Sequence, residues 1–331
     1  MSNRAYHPES KANDRPSSST TRRAFLRGAT ALAAGIVASP PTGAQQTAPL
    51  PKIKLGPHEV TRMITGGNPQ YGFSHFNRLL DDMMREYFTD QRVVQFMLDC
   101  EKAGINTWQS SLTANAERQY PLIRDAGCKL NWIFLAGPWD IDRSAQTQEA
   151  FDAAMAKCVE ISRQTKPVAV AHHGVYTDRL WRAGKLEKVR EFVNRLHDAG
   201  FVAGISTHNP RVVEEIESKG WPTDFYMTCF YCISREPEEF VKEIGIEPVG
   251  ETYLSTDPER MCKVVRQTSK TCLAFKILAA GRKCDSPQQV RSAFEFAFQN
   301  IKPTDGVIVG MFPKFSDQVS ENVKFVKELA V

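Results

Sequence analysis

Short apolar runs and longer amphipathic segments follow one another along the chain in a regular order. Runs such as VAVAHHG (168–174), DFYMTCFY (224–231) and GVIVGMF (306–312) are typical of buried parallel strands. Each is followed by a segment with helical spacing of its apolar residues, such as PERMCKVVRQT or QVSENVKFVKEL. From residue 60 to residue 329 we count eight such strand–helix pairs with no long linker between them. The pattern predicts a single (β/α)8 TIM barrel.

An open, doubly wound sheet is the alternative arrangement of alternating strands and helices. No G-x-G-x-x-G motif opens any of the predicted helices, which disfavours the dinucleotide-binding form of that fold. In a barrel, the chemistry lies where the strands end and in the loops that follow them. The residues at the strand ends are therefore the candidates for function.

Polar side chains end three of the predicted strands. His172 and His173 end the fourth strand, and they point in opposite directions if the strand continues, so one of them faces the barrel interior. His208 lies at the end of the fifth strand, in the segment GISTHNP. Lys276 ends the seventh strand and needs an anion, a carboxylate or a Schiff-base role there, because an unpaired buried ammonium is costly. We take these four residues as the candidate catalytic residues.

His208 also has a purely structural explanation. Asn209 could be the N-cap of the next helix and Pro210 its first residue. On that interpretation the polar corner starts a helix and does nothing more.

Two segments are longer than ordinary barrel loops, residues 68–89 and residues 230–257. Both follow predicted strand ends, so we expect them on the substrate side, where they could fold over a ligand. Candidate substrate contacts in the first segment and after strand four are Tyr71, His75, Arg78, Tyr176, Asp178 and Trp181.

The first 44 residues differ from the rest of the chain. They contain the pair Arg22-Arg23, an apolar run over residues 29–38 and small residues at Thr42 and Ala44. The apolar run is too short to span a bilayer, so a removable export signal is expected, and the arginine pair resembles a twin-arginine (Tat) signal. We predict a signal peptide over 1–44, a barrel domain over 45–331, recognition by the Tat export machinery and a periplasmic or otherwise exported location, with no stable membrane span.

Charge excludes one class of partner. The sequence has 42 basic and 38 acidic residues, and residues 1–44 contain six of the basic and two of the acidic residues. The predicted mature chain therefore has 36 basic and 36 acidic residues. A formally neutral chain gives no support to nucleic-acid binding or to an anionic membrane surface. A small-molecule substrate is the expected partner.

Five segments, taken in order, resemble the aldo/keto reductase superfamily. KIKLGPHEVTRMITGG is similar to the opening hairpin and first strand of that family, CEKAGINTW to its A-x-x-x-GIN segment, and GFVAGISTHNP to its IGVSNH strand-five ending. FKILAAG resembles the SPLxxG segment after strand seven, and VIVGMFPKFSDQVSEN resembles the closing loop that ends in EN. The resemblance runs through most of residues 52–329. It implies an oxidoreductase-related barrel enzyme that acts on a small carbonyl or sugar-like substrate.

The resemblance also implies a nicotinamide cofactor, NADP or NAD. Ser206 and Thr207 match the strand-five pair that holds the carboxamide, with Thr207 in place of the usual Asn. Phe230 or Tyr231 matches the aromatic residue that stacks on the nicotinamide ring, and Lys314 lies in the loop that grips the phosphate.

The catalytic tetrad of that family is largely missing. The chain has Gln109 or Ser110, and then Ala114, where the family has its Asp and its Tyr, and it has LA at 135–136 in place of the TK that supplies the Lys. The strand-four histidine alone remains. Without a Tyr–Lys–Asp relay no acid is in place to protonate the carbonyl that accepts the hydride, which disfavours the ordinary reductase mechanism.

Three function classes follow from these observations. The first is a divergent reductase-like enzyme, the second is a cofactor-free or metal-dependent sugar isomerase, lyase or hydrolase, and the third is a non-catalytic periplasmic binding protein. A metal site is disfavoured because no H-x-H or H-x-x-x-H spacing organises the possible ligands, which are His172, His173, His208, Cys229 and Glu251. The polar cluster at the strand ends favours an enzyme.

Overall fold

The computed structural model describes residues 48–136 and 147–330, which form a closed barrel preceded by a hairpin. The predicted leader lies outside these residues. The hairpin strands are β1 (Lys52–Leu55) and β2 (His58–Thr61), which pair antiparallel. The barrel strands are β3 (Met63–Gly66), β4 (Thr107–Ser111), β5 (Asn131–Ala136), β6 (Ala169–His172), β7 (Ala203–Thr207), β8 (Phe225–Cys229), β9 (Thr271–Phe275) and β10 (Gly306–Gly310). They run parallel in sequence order, and β10 pairs with β3 to close the barrel. The predicted (β/α)8 fold is confirmed.

Helices surround the barrel. In the described part of the chain they are α1 (Arg78–Tyr87), α2 (Asp90–Lys102), α3 (Ala114–Asp125), α4 (Gln148–Thr165), α5 (Gly174–Arg182), α6 (Glu187–Asp198), α7 (Pro210–Ser218), α8 (Pro237–Ile244), α9 (Asp257–Gln267), α10 (Pro287–Asn300) and α11 (Gln318–Leu329). None of these helices has both the length and the apolar character needed to cross a membrane.

Both segments predicted as long loops contain a helix. Residues 68–89 hold a 3-10 turn and then α1, and residues 230–257 hold α8. Each of these two helices buries a single residue, Met84 in α1 and Phe240 in α8. The apolar residues of both helices nevertheless have helical spacing, so the sequence pattern could have predicted these helices.

Alternate strand residues fill the barrel interior, and the hairpin closes its amino-terminal end. The hairpin contributes Ile53, Leu55 and Val60 to the same apolar cluster as the inward-facing strand residues, which include Ile64, Ile133, Met227, Leu273 and Ile308. Phe225 occupies so much of this space that a Cβ on Gly204 would lie 2.4 Å from its ring. With one end plugged, a ligand can reach the barrel only from the carboxyl ends of the strands.

Candidate active site

Strand alternation decides which strand-four histidine faces the open end of the barrel. On β6, Ala171 belongs to the barrel interior, so His173 is the next inward-facing residue. His172 points toward the helices and packs edge-on against Phe192 of α6, with ring centroids 5.0 Å apart. Its Nδ1 lies 2.8 Å from Thr177 Oγ1, and the side chain is fully buried. His172 is thus a core residue, and His173 is the histidine at the mouth.

A cavity of about 680 Å³, called here the mouth cavity, opens at the carboxyl ends of the strands. Its volume falls within the range of small-molecule sites, roughly 300–1,000 Å³. The strand ends and both long segments contribute to its wall. Its polar lining includes Gln109, His173, Arg179, Ser206, His208 and Lys276. Three of the four candidate catalytic residues therefore meet in one place.

His208 and Asp178 form a buried hydrogen-bonded pair in the cavity wall. His208 Nδ1 lies 2.9 Å from Asp178 Oδ2, which also accepts the backbone N–H of His208 at 3.1 Å. The hydroxyl of Thr207 donates to the other carboxylate oxygen. Gly174 leaves room for this arrangement, since a Cβ there would lie 3.0 Å from His208 Cε1 and 2.9 Å from Ser206 Oγ. Within residues 48–136 and 147–330, His208 Nε2 has no hydrogen-bond partner, so it can act on a ligand.

The protonation states suit acid–base work. Burial raises the pKa of Asp178, but hydrogen bonds from His208 and Thr207 outweigh it, so the net pKa lies below its usual range. Asp178 is therefore an anion at neutral pH and holds the proton of His208 on Nδ1. Burial, and to a smaller extent the electrostatic effect of His208, lower the pKa of His173 to about 4. His173 is thus a neutral ring at neutral pH, and its buried Nδ1 has no hydrogen-bond partner in the described residues.

The two long segments meet above the cavity, and we call residues 68–89 the first lid and residues 230–257 the second lid. His75 Nδ1 of the first lid lies 2.8 Å from Glu251 Oε2 of the second. Glu251 Oε1 lies 3.9 Å from the Lys276 Nζ atom. Burial raises the pKa of Glu251, but the His75 hydrogen bond and the charge of Lys276 lower it to about 2. An ionised carboxylate thus joins the lids beside Lys276.

A second groove of about 500 Å³ adjoins the mouth cavity and shares Gln109, Phe275 and Lys276 with it. Its far wall includes Ser286 and Asn322, at the starts of α10 and α11. The groove is where the neighbouring strand ends of β9, β10 and β3 leave space between their loops.

The residues that the resemblance assigns to a nicotinamide do not line this groove. Phe230 and Tyr231 are buried, and the hydroxyl of Thr207 is hydrogen-bonded to Asp178. Lys314 lies in an exposed loop, where its Nζ atom lies over the ring of Phe315. Ser206 lines the mouth cavity instead. The assigned set therefore does not fit a nicotinamide nucleotide, because its stacking rings are covered and its cation lies outside the groove.

The candidate metal ligands do not come together. Over the described residues, no group of three or more His, Cys, Asp or Glu side chains is arranged to hold a metal ion. His172 lies outside the cavity, Cys229 is buried in the core, and Glu251 is bound by His75.

The sequence does not predict the positions of several residues in this site. Asp178 is expected to contact substrate but lies behind His208, because α5 begins directly after β6 and brings its second turn beside the end of β7. Arg179 and Arg235 line the mouth cavity, although no sequence pattern singles them out. Of the other predicted contacts, Tyr176 lines the cavity, whereas Trp181 donates to Glu215 elsewhere. The short spacing between the fourth strand and Asp178 is the signal that could have identified it.

Comparisons with known proteins agree with the fold. No protein-family profile and no curated protein sequence matches the chain. Among solved structures, the apoform of Gox0644 superposes with a TM-score of 0.51 at 9% identity, over 85% of this chain and 94% of that chain. The aldo-keto reductase AKR11C1 from Bacillus halodurans, in its holo form, gives 0.49 at 14% identity, over 84% and 91%. A truncated 3-deoxy-D-arabino-heptulosonate 7-phosphate synthase from Thermotoga maritima gives 0.47 at 11%, over 85% and 90%. Aldo-keto reductases thus occur among the structural neighbours beside other barrel enzymes, and the similarity to Gox0644 shows the barrel fold alone.

Proposed function

We propose that this protein is an acid–base enzyme that moves a proton at the carbon beside the carbonyl group of a small, sugar-like substrate. The observation that carries the proposal is the hydrogen bond of 2.9 Å between Asp178 and His208 in the wall of the mouth cavity. A carboxylate that fixes one ring nitrogen leaves the other as a directed base, and it stabilises the imidazolium formed when that nitrogen takes a proton. The reaction class is isomerisation, epimerisation or elimination.

The other cavity residues have roles that match this reaction. His208 Nε2 takes the proton from carbon, and neutral His173 can donate or accept a hydrogen bond at a substrate hydroxyl. Lys276 lines the same cavity, where its amine can interact with the substrate carbonyl. Gln109 and Ser206 add polar contacts of the kind that fix a polyhydroxylated ligand.

Solvent exchange tests the proposed reaction whichever product is formed. The mature chain is incubated in D₂O with dihydroxyacetone, D-fructose or D-glucose, and the C–H signals beside the carbonyl are followed by proton NMR. We expect at least one of these signals to disappear faster with the protein than without it. If a folded protein accelerates exchange in none of the three, the proposed function is wrong.

Hydride transfer with a nicotinamide is the second candidate, and the groove that adjoins the mouth cavity is the observation that favours it. Because Phe230, Tyr231 and Lys314 do not line that groove, we expect NADH and NADPH fluorescence to be unchanged by micromolar protein. A saturable shift or quench, lost when Asn322 in the groove is replaced by Leu, would instead favour the reductase class.

Export by the Tat pathway is also part of the proposal. It is supported by Arg22-Arg23, by the apolar run that follows them and by the small residues at Thr42 and Ala44. Fractionation of cells that express the full chain tests it. An Arg22→Lys, Arg23→Lys variant should stay in the cytoplasm, and normal export of that variant would rule out the twin-arginine signal.

A further inference from the structure

Lys276 enters the mouth cavity through an unusual backbone conformation. Strand β9 ends at Phe275, and Lys276 has a φ of +57°, in the left-handed region that side chains other than glycine rarely adopt. Its carbonyl accepts the N–H of Ala279 at 2.8 Å, in a turn where Ala279 and Ala280 also have positive φ. Strain of this kind persists only when the surrounding structure imposes it, and it is concentrated at functional sites. Here it turns the amine to the junction of the mouth cavity and the groove.

The amine of Lys276 lacks the contacts that a buried ammonium needs. The side chain is only 7% exposed, and in the described part of the chain its Nζ atom makes no hydrogen bond. The carboxylate of Glu251 lies at 3.9 Å, beyond hydrogen-bond range, and is already bound by His75 Nδ1 and the hydroxyl of Tyr253. Burial lowers the pKa of Lys276 despite the opposing effects of Cys229 and Glu251, and the charge of Arg282 adds a smaller effect in the same direction. A larger fraction of Lys276 is therefore deprotonated than of an exposed lysine, and the nitrogen of the neutral amine has a free lone pair.

A permanent cation for an anionic substrate would not need a lysine at this position. The exposed Arg179 already lines the mouth cavity, and a guanidinium stays charged at any pH the protein meets. An amine differs from a guanidinium because it can lose its proton and act as a nucleophile. The cavity thus contains groups of both kinds.

We infer that Lys276 forms an imine with the carbonyl carbon of the substrate, an inference that rests on the proposed proton transfer at the neighbouring carbon. The Nζ lone pair attacks the carbonyl carbon to give a carbinolamine, whose hydroxyl takes a proton and leaves as water. The resulting iminium draws electrons from the adjacent C–H bond. His208 Nε2 accepts that proton and leaves an enamine, and reprotonation followed by hydrolysis releases the product and the free amine. Small aldehydes and ketones that bear hydroxyl groups are the substrate class.

Reductive trapping of the unaltered protein tests this inference. The mature chain is treated with glycolaldehyde and sodium cyanoborohydride at neutral pH, and labelled lysines are located by peptide mass spectrometry. We expect Lys276 to gain the hydroxyethyl group faster than the exposed Lys54 and Lys324, because a lowered pKa raises the fraction of free amine at neutral pH. Labelling of Lys276 no faster than that of these two would overturn the inference.

The D₂O assay separates this inference from the proposed function. Exchange catalysed by the protein without preferential labelling of Lys276 would keep the proton transfer and remove the imine. Preferential labelling without exchange would keep the reactive amine and remove the proton transfer. A Lys276→Arg variant, which keeps the charge but cannot form an imine, should lose exchange by about 10²-fold or more while its circular dichroism is unchanged. Full exchange activity in a folded Lys276→Arg variant would contradict the inference.

Discussion

Replacing His208 with asparagine should lower the rate of proton exchange by about 10²–10⁴-fold, the usual contribution of a positioned general base. The asparagine amide can still donate toward Asp178, near the place of the histidine Nδ1–H, so the buried carboxylate keeps a partner. The variant has no group that can take a proton in place of Nε2. The measurement is the loss of substrate C–H signal in D₂O, with the melting temperature recorded for the same samples.

A second Asp–His pair on the same chain provides a matched control. His197 Nε2 lies 2.8 Å from Asp224 Oδ2, at the amino-terminal end of the barrel and away from the mouth cavity. His197→Ala should leave exchange unchanged. His172→Ala should lower the melting temperature but leave the exchange rate nearly unchanged, because His172 packs against Phe192 and does not line the cavity. Unchanged exchange in His208→Asn, or an equal loss in His197→Ala, would exclude the Asp178–His208 pair as the base.

Replacing Asp257 with alanine should lower the free energy of unfolding by up to about 3 kcal/mol, because Arg235 and a backbone N–H lose a buried partner while Arg235 keeps Glu243 at 2.9 Å. Asp257 and Arg235 have side-chain exposures of 2% and 7%, and Arg235 Nη1 donates to Asp257 Oδ2 at 2.8 Å. The same oxygen accepts the backbone N–H of Cys232 at 3.1 Å. The pair fastens the second lid to the start of α9. Chemical denaturation followed by circular dichroism measures the loss.

An exposed ion pair in the first lid serves as the control for the contribution of a surface contact to the free energy of unfolding. Arg85 Nη2 lies 2.6 Å from Asp82 Oδ1, with side-chain exposures of 48% and 54%. Asp82→Ala should cost no more than about 1 kcal/mol, because solvent screens such pairs. Similar losses in the two variants would mean that burial of Asp257 and Arg235 adds nothing to their interaction.

The barrel could be predicted because its strands are apolar runs and its helices bury wide stripes. GVIVG, for example, is buried over its first four residues in β10, and α11 begins and ends where the apolar spacing places it. The helices of the two lids could have been predicted by the same means, because the apolar residues of α1 and α8 also have helical spacing. The spacing does not reveal how little each helix buries, which is a single side chain, Met84 in α1 and Phe240 in α8.

The site was predictable in position but not in its pairings. The strand ends identified His173, His208 and Lys276, and all three line the mouth cavity. The partner of His208, Asp178, lies 30 residues earlier, and the parallel pairing of β6 with β7 is what brings α5 against the end of β7. The left-handed backbone of Lys276 has no sequence signal either, because no glycine or asparagine marks the position.

The contact between the lids has a consequence for how the lids move. Arg282 donates to the carbonyl oxygens of His75 and Glu251, at 3.2 and 3.3 Å, and to that of Ala279 at 3.3 Å. One guanidinium thus ties both lids to the turn that carries Lys276. Opening either lid alone would break the His75–Glu251 hydrogen bond and one hydrogen bond to Arg282, so movement of one lid is coupled to the other beside Lys276.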